Sequence, residues 1–190
     1  MEEKVLSLSV SQEQEAISLI ERIAEGQQGA LERFYRLFES SVYRFALSKL
    51  NDPFDAADIL NEVMMEVWKS AKNFQGRSKV STWILGITNF KSIDRVRQKA
   101  RKQTAELSDT IEDESPEFES LISAAQSEKQ VNHCMSKLKD EFKEVIHLAF
   151  FEDLHYEDIA EIVECPAGTI KSRVFHAKNA LKQCLQKFLR

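Results

Sequence analysis

Long stretches of this chain contain no glycine or proline, and within them apolar residues return every three or four positions. That spacing puts the apolar side chains on one face of a helix, whereas a sheet would need tight turns and the breakers that make them. With only five glycines and three prolines in 190 residues, the chain is expected to be all-α. From Glu13 to about Leu50, Ile17, Ile20 and Ile23, then Leu31, Phe34, Tyr35, Phe38, Val42, Phe45 and Leu50, keep the spacing on either side of Gly26 and Gly29, predicting two or three helices. Asn51-Asp52-Pro53 is a turn with a built-in helix start, and Phe54 to Ala71 follows as a further helix.

Phe74 to Ser81 reads as a loop around Gly76, and Thr82 to about Lys102 as a helix that grows steadily more basic. Residues 1–102 thus form a first small helical domain. Acids then crowd around Pro116, so residues 103–127 read as an acidic linker. Residues 128–190 predict four helices: one through Val131 and Leu138, one around Phe142 to Phe151, a short one from Tyr156 to Val163, and a last from Pro166 onward. Four helices in so short a segment make a second small bundle.

A formal charge of -5 argues against nucleic-acid binding only if charge is averaged over the chain. Lys91, Arg95, Arg97, Lys99, Arg101 and Lys102 form one basic block, and Glu106, Asp109, Glu112, Asp113, Glu114, Glu117 and Glu119 an acidic one. Local charge decides what each surface attracts. No apolar run approaches the roughly 18 residues of a membrane span. The chain opens on Glu2 and Glu3 instead of a basic leader, so a cytoplasmic protein without membrane insertion is expected. Cys134, Cys165 and Cys184 are odd in number and lack a CxxC pair, which implies neither a disulfide framework nor a zinc module. They read as small, partly buried thiols, and no cofactor is implied.

Three segments carry functional chemistry. Tyr156 to Lys178 reads as a helix-turn-helix, with Ile159, Ala160 and Val163 facing Ile170, Val174, Ala177 and Leu181 across the turn at Glu164-Cys165-Pro166. Packing those residues inward turns Thr169, Lys171, Ser172, Arg173, Phe175, His176 and Lys178 toward a DNA groove, although any amphipathic helix also carries a solvated polar face. On the helix after Pro53, Asp55, Asp58, Glu62 and Glu66 make an acidic stripe beside apolar Ile59, Val63 and Val67. Such a stripe suits a basic partner, and a merely solvated face is the commoner explanation. The loop Phe74-Gln75-Gly76-Arg77-Ser78-Lys79-Val80-Ser81-Thr82-Trp83 runs into the basic helix, a combination of cations and aromatics that suits single-stranded nucleic acid. Trp83 itself is expected to pack inward.

In their order along the chain these segments resemble the sigma-70 family of RNA polymerase subunits, and within it the extracytoplasmic-function (ECF) type, which keeps only regions two and four. Leu31 to Phe38 with Val42 to Ala46 matches the start of region two, and Asp55-Ala56-Ala57-Asp58-Ile59-Leu60-Asn61-Glu62-Val63 is similar to the segment that grips the polymerase clamp helices. The resemblance implies that Asp55, Asp58, Asn61, Glu62 and Glu66 contact polymerase. It implies that Arg77, Ser78, Lys79, Val80, Ser81, Thr82, Trp83, Asn89, Lys91, Arg95 and Arg97 melt and read the −10 promoter element. Thr169, Lys171, Ser172, Arg173, Phe175, His176 and Lys178 would read the −35 element. Implied partners are core RNA polymerase, through its beta-prime clamp helices and beta flap, promoter DNA, and an anti-sigma factor.

The departures from the family pattern are specific. Phe90 stands where Asn is usual, Asn61 where Gln is common, His155 where Ser often caps the helix, Glu164 where Gly often turns, and His176 where Arg is frequent. Two rivals bound the reading. A free-standing helix-turn-helix regulator would leave the acidic stripe without a polymerase partner. A helical enzyme or metal protein would have to use His133, Cys134 and His147, whose spacing fits no common site.

Overall fold

The structure, a computed structural model, describes residues 10–103 and 122–188, and every regular element among them is helical. Helices α1 (Val10–Ala24), α2 (Ala30–Leu50), α3 (Pro53–Ser70) and α4 (Val80–Gln103) form the first bundle. Helices α5 (Ile122–Ser136), α6 (Asp140–Ile146), α7 (Tyr156–Ile162) and α8 (Ala167–Leu185) form the second, with a π-helical turn at His147–Phe151 continuing α6. The expected helices are present with shifted ends: α4 begins at Val80, inside the stretch read as loop, α5 begins at Ile122, inside the stretch read as linker, and α5 ends at Ser136, short of Leu138. The acids from Glu106 to Glu119 lie outside the described residues.

Local chemistry sets the ends of these helices. Asn51 closes α2 in the left-handed conformation (φ 51°), its N–H bonded to Leu47 O at 2.9 Å. Asp52 then caps α3, its side chain accepting from the N–H groups of Phe54 and Asp55, with Pro53 at the first turn, where a missing N–H costs nothing. Gly29 precedes α2 at φ 77°, a conformation that a β-carbon would strain. Glu13 of α1 accepts from Val80 N at 2.5 Å and so satisfies one of the open N–H groups at the start of α4.

The first core joins Leu19, Ile20 and Ile23 of α1 to Phe34, Phe38, Val42 and Phe45 of α2, Ile59, Val63 and Val67 of α3, and Ile84 and Leu85 of α4. The second gathers Val145, Leu148, Ile159, Ile162, Ile170, Val174 and Ala177. The two cores are continuous because α6 and the π turn lie on α2 while α7 lies on α4. One sequence expectation is corrected here: Cys134 and Cys184 are joined in a disulfide between α5 and α8, and Cys165 is the free thiol. Neither cysteine has a nearby partner in sequence; the fold brings together helices 50 residues apart.

Candidate nucleic-acid interface

On α3 the acidic stripe is exposed at Asp58, Asn61 and Glu62, but it does not stand alone. Arg95 of α4 reaches across with Nη1 2.7 Å from Asp55 and 3.5 Å from Asp58, and Nη2 2.7 Å from Glu62. Lys99 pairs with Asp52 at 3.1 Å and with Asp55, while Lys91 lies 3.6 Å from Glu66. The antiparallel α3–α4 packing places a basic helix beside an acidic one, and each neutralises much of the other. Asp55 is turned inward, and the Lys99 ammonium foremost, with help from Arg95, holds its carboxyl below the usual carboxylate range against the opposing effect of burial. Burial opposes the charge on Arg95, yet the hydrogen bonds of Asp55 and Glu62 outweigh it and keep its pKa raised. The sequence reading is corrected on both counts: Asp55 is an internal ion-pair partner, and Arg95 faces α3 instead of offering its charge to solvent.

At the start of α4 the residues divide sharply. Arg77 and Lys79 are exposed and Ser78 and Ser81 half-buried, whereas Val80 is fully buried and Thr82 nearly so. Val80 therefore belongs to the core, because the first inward position of α4 has to close the bundle against α1. The Trp83 ring is half-buried against Phe74, with centroids 5.0 Å apart. Further along α4, Asn89 is buried and donates from Nδ2 to Ile162 O at 2.9 Å, while its Oδ1 accepts from Lys49. Arg97 remains exposed. A groove of about 450 Å³ follows this helix, lined by Trp83, Gly86, Ile87, Phe90 and Lys91 on α4 and walled by Glu161, Ile162 and Glu164.

The helix-turn-helix is formed by α7 and α8, with Glu164 at φ 52° in the turn and Cys165 N bonded to Ala160 O at 3.1 Å. Pro166 sits one residue before the helix, not at its first position. Ile170, Val174 and Ala177 face inward, and Lys171, Ser172, Phe175, His176 and Lys178 are exposed on the opposite side. Thr169 is half-buried, its carbonyl accepting from Ser172 Oγ at 2.9 Å. Arg173 departs from the expected outward placement. It is half-buried, 3.2 Å from Glu141 of α6, with Nη1 3.8 Å from Cys165 Sγ. Position 173 lies at the border of the inward face, so α6 is close enough to capture its long side chain. Lys178 lies 4.6 Å over the Phe150 ring, an aromatic contact the sequence did not suggest.

Sequence reasoning also missed the residues that join the two bundles. Asp158 of α7 meets Lys79 at 3.2 Å and the Thr82 hydroxyl at 3.4 Å. Glu144 meets Lys49 at 2.7 Å. Glu152 is buried among His147 at 3.3 Å, Arg44 at 3.5 Å and the Ser41 hydroxyl. Burial pushes the Glu152 carboxyl up, but His147 and Ser41, then the Arg44 charge, outweigh it and hold its pKa below the ordinary value. No sequence signal marks a carboxylate that pairs with a serine 111 positions away. His147 is stacked between Phe45 and Phe151, and no group of three potential metal ligands occurs among the described residues.

Comparison with known proteins matches residues 34–102 to the model of Sigma-70 region 2 and residues 128–181 to that of Sigma-70 region 4. The chain is 28% identical over 193 aligned residues to the RNA polymerase sigma-H factor of Pseudomonas aeruginosa, covering 95% of this chain and 98% of that one. It is 27% identical to the ECF RNA polymerase sigma factor SigK of Mycobacterium bovis, covering 88% of this chain and 92% of the other. Its fold is similar to that of the sigma factor RpoE solved with the anti-sigma factor NepR from Bartonella quintana, with a TM-score of 0.65, 23% identity, and coverage of 82% of this chain and 96% of that one.

Proposed function

Because the chain belongs to the sigma-70 family, and within it to the ECF type, we propose that it binds core RNA polymerase and directs it to specific promoters. The first bundle, within residues 1–102, takes the polymerase clamp helices on α3 and the −10 element on the loop before α4 and on α4 itself. The second bundle, within residues 128–190, takes the beta flap and presents α8 to the −35 element. The protein supplies recognition and strand capture, and the polymerase supplies the chemistry. It works in the cytoplasm, and an anti-sigma factor that covers these surfaces controls it.

The observation that carries this reading is the separation of two unlike surfaces onto two bundles. One is a helix-turn-helix whose second helix exposes Lys171, Ser172, Phe175, His176 and Lys178, groups suited to duplex phosphates and base edges. The other is a helical hairpin with Asp58 and Glu62 exposed at its acidic edge and Arg77, Lys79 and Arg97 exposed about its basic helix. Phosphate contacts position such a protein, and base contacts specify its site.

Promoter binding requires the bundles to part. Elements 25 base pairs apart are separated by roughly 85 Å of duplex at about 3.4 Å per pair. The docked arrangement holds α7 against α4, with Asp158 on Lys79 and Thr82. The test is run-off transcription with purified core polymerase on a library of genomic fragments. Promoter-specific transcripts that require this chain are expected; a chain that binds DNA yet forms no complex with core polymerase overturns the reading in favour of a free-standing regulator.

A further inference from the structure

Helix α4 begins without a cap of its own. Lys79 O accepts from Trp83 N at 3.0 Å, which makes Lys79 the residue that flanks the first turn, and a lysine side chain has no acceptor for the open N–H groups there. The first turn of α4 contains no acid either. Both needs are met from 67 positions away: Glu13 of α1 brings its Oε1 to 2.5 Å from Val80 N, and its carboxylate lies at the positive end of the helix dipole. A serine or aspartate at position 79 would satisfy this turn locally, without ordering a long side chain from another helix. The other oxygen, Glu13 Oε2, is buried with no hydrogen-bond partner among the described residues, so the remote cap is the costlier arrangement.

What the arrangement frees is position 79. Lys79 is exposed, and its ammonium meets Asp158 of α7 at 3.2 Å while the bundles are docked. A local cap would put an acceptor where this cation stands. The loop is anchored at its other end as well: Phe74 packs on Trp83 with ring centroids 5.0 Å apart, and Gly76 turns the chain at φ 64°. Between Phe74 and the buried Val80, the side chains of Gln75, Arg77 and Lys79 are exposed. We infer that Glu13 is a positioning residue for promoter recognition: by capping α4 from α1 it fixes the end of this loop and leaves the cap position to a cation, so that Arg77 and Lys79 meet the opened −10 strand from a fixed frame. The inference rests on the promoter function proposed above. It places in α1, upstream of the residues 34–102 that match region 2, a group that touches no DNA and yet governs discrimination. A loop without that anchor has to be ordered when the strand binds, and its contacts fit the preferred bases less selectively.

The test uses holoenzyme assembled from core polymerase and the full chain, on a promoter recovered by run-off transcription and on single-base variants of its −10 and −35 elements. Core polymerase affinity, circular dichroism and thermal midpoint are measured beside template affinity. Glu13→Ala is expected to bind core polymerase as the wild type does and to lose affinity for the preferred −10 sequence by about fivefold, the size of one lost helix cap. The loss on the −10 variants is smaller, so discrimination at the −10 element falls while discrimination at the −35 element is unchanged. Glu13→Gln, which keeps a carbonyl acceptor within reach of Val80 N, restores −10 discrimination. If Glu13→Ala loses affinity equally on every −10 variant, keeps the wild-type discrimination, loses core polymerase binding or fails to fold, Glu13 serves the fold alone and the positioning role is overturned. A wild-type chain that supports no promoter-specific transcript removes the underlying function, a failure visible before any Glu13 variant is made.

Discussion

Removing the bond between Cys134 and Cys184 is the perturbation whose size the structure specifies most directly. The bond closes a loop of 50 residues that contains α6, α7 and most of α8. The constraint acts chiefly on the unfolded chain, and the loop-entropy relation gives about 4 kcal/mol for a loop of this length near room temperature, toward the upper end of the usual range. A domain of this size loses about 4–8 °C in melting midpoint per kcal/mol. Even about 2 kcal/mol therefore lowers the midpoint of the second bundle by roughly 8–16 °C. Cys134 is buried while Cys184 is half-buried, so a reductant reaches the bond at Cys184. Thermal unfolding is followed with and without a phosphine reductant, for the wild type and for Cys134→Ser with Cys184→Ser. The unreduced wild type should titrate one thiol when denatured, that of Cys165, and three after reduction. The reduced wild type and the double variant should melt together, below the oxidised wild type. Three titratable thiols before reduction, or coincident midpoints with and without reductant, would refute the reasoning.

Four further outcomes follow from the charged groups. Glu152 has a lowered pKa in the folded protein, so its contribution to stability is complete above its ordinary value of 4.5 and is lost as pH falls through the lower folded value. Glu152→Gln should accordingly be less stable at neutral pH and show a flatter loss of stability on acidification in denaturant titrations; an unchanged acid limb would deny the burial of that charge. Asp58→Lys with Glu62→Lys should weaken core polymerase binding severalfold while leaving circular dichroism native, because both carboxylates are about half or more exposed and their pairing with Arg95 adds little stability. Lys171→Ala should weaken duplex binding nearly uniformly and reduce the salt slope by about one, measured on −35 variants at several salt concentrations. Glu141→Gln, which frees Arg173, should strengthen binding in the same assay, and no change would mean that Arg173 stays on the protein side of the interface.

Helices and their ends were legible in the sequence because their causes are local. Asp52 and Pro53 start α3 through bonds to residues two and three positions away. The inward set Ile170, Val174 and Ala177 follows from a period of 3.6 residues. The same locality made the helix-turn-helix and the α3 stripe readable, and with them the family. What periodicity does not give is the identity of the neighbouring helix. Arg173 lies at the border of an inward face, and only the presence of Glu141 on α6 decides that it turns back toward the protein.

The pairings that set the behaviour of the site are all long-range. Arg95 and Lys99 neutralise α3 because the hairpin runs antiparallel, which brings position 95 beside positions 55, 58 and 62. Val80 looked like part of a polar loop, yet closing α4 against α1 buries it. Cys134 meets Cys184, and Glu152 meets Ser41, through the folding of separate helices onto one another. The sequence by itself determined which segments are helical, which faces are apolar and which family pattern they follow, since each depends on residues within a turn or two. Tertiary structure alone decided which charges are already paired and which cysteines are joined, because those depend on distances between helices that no local spacing encodes.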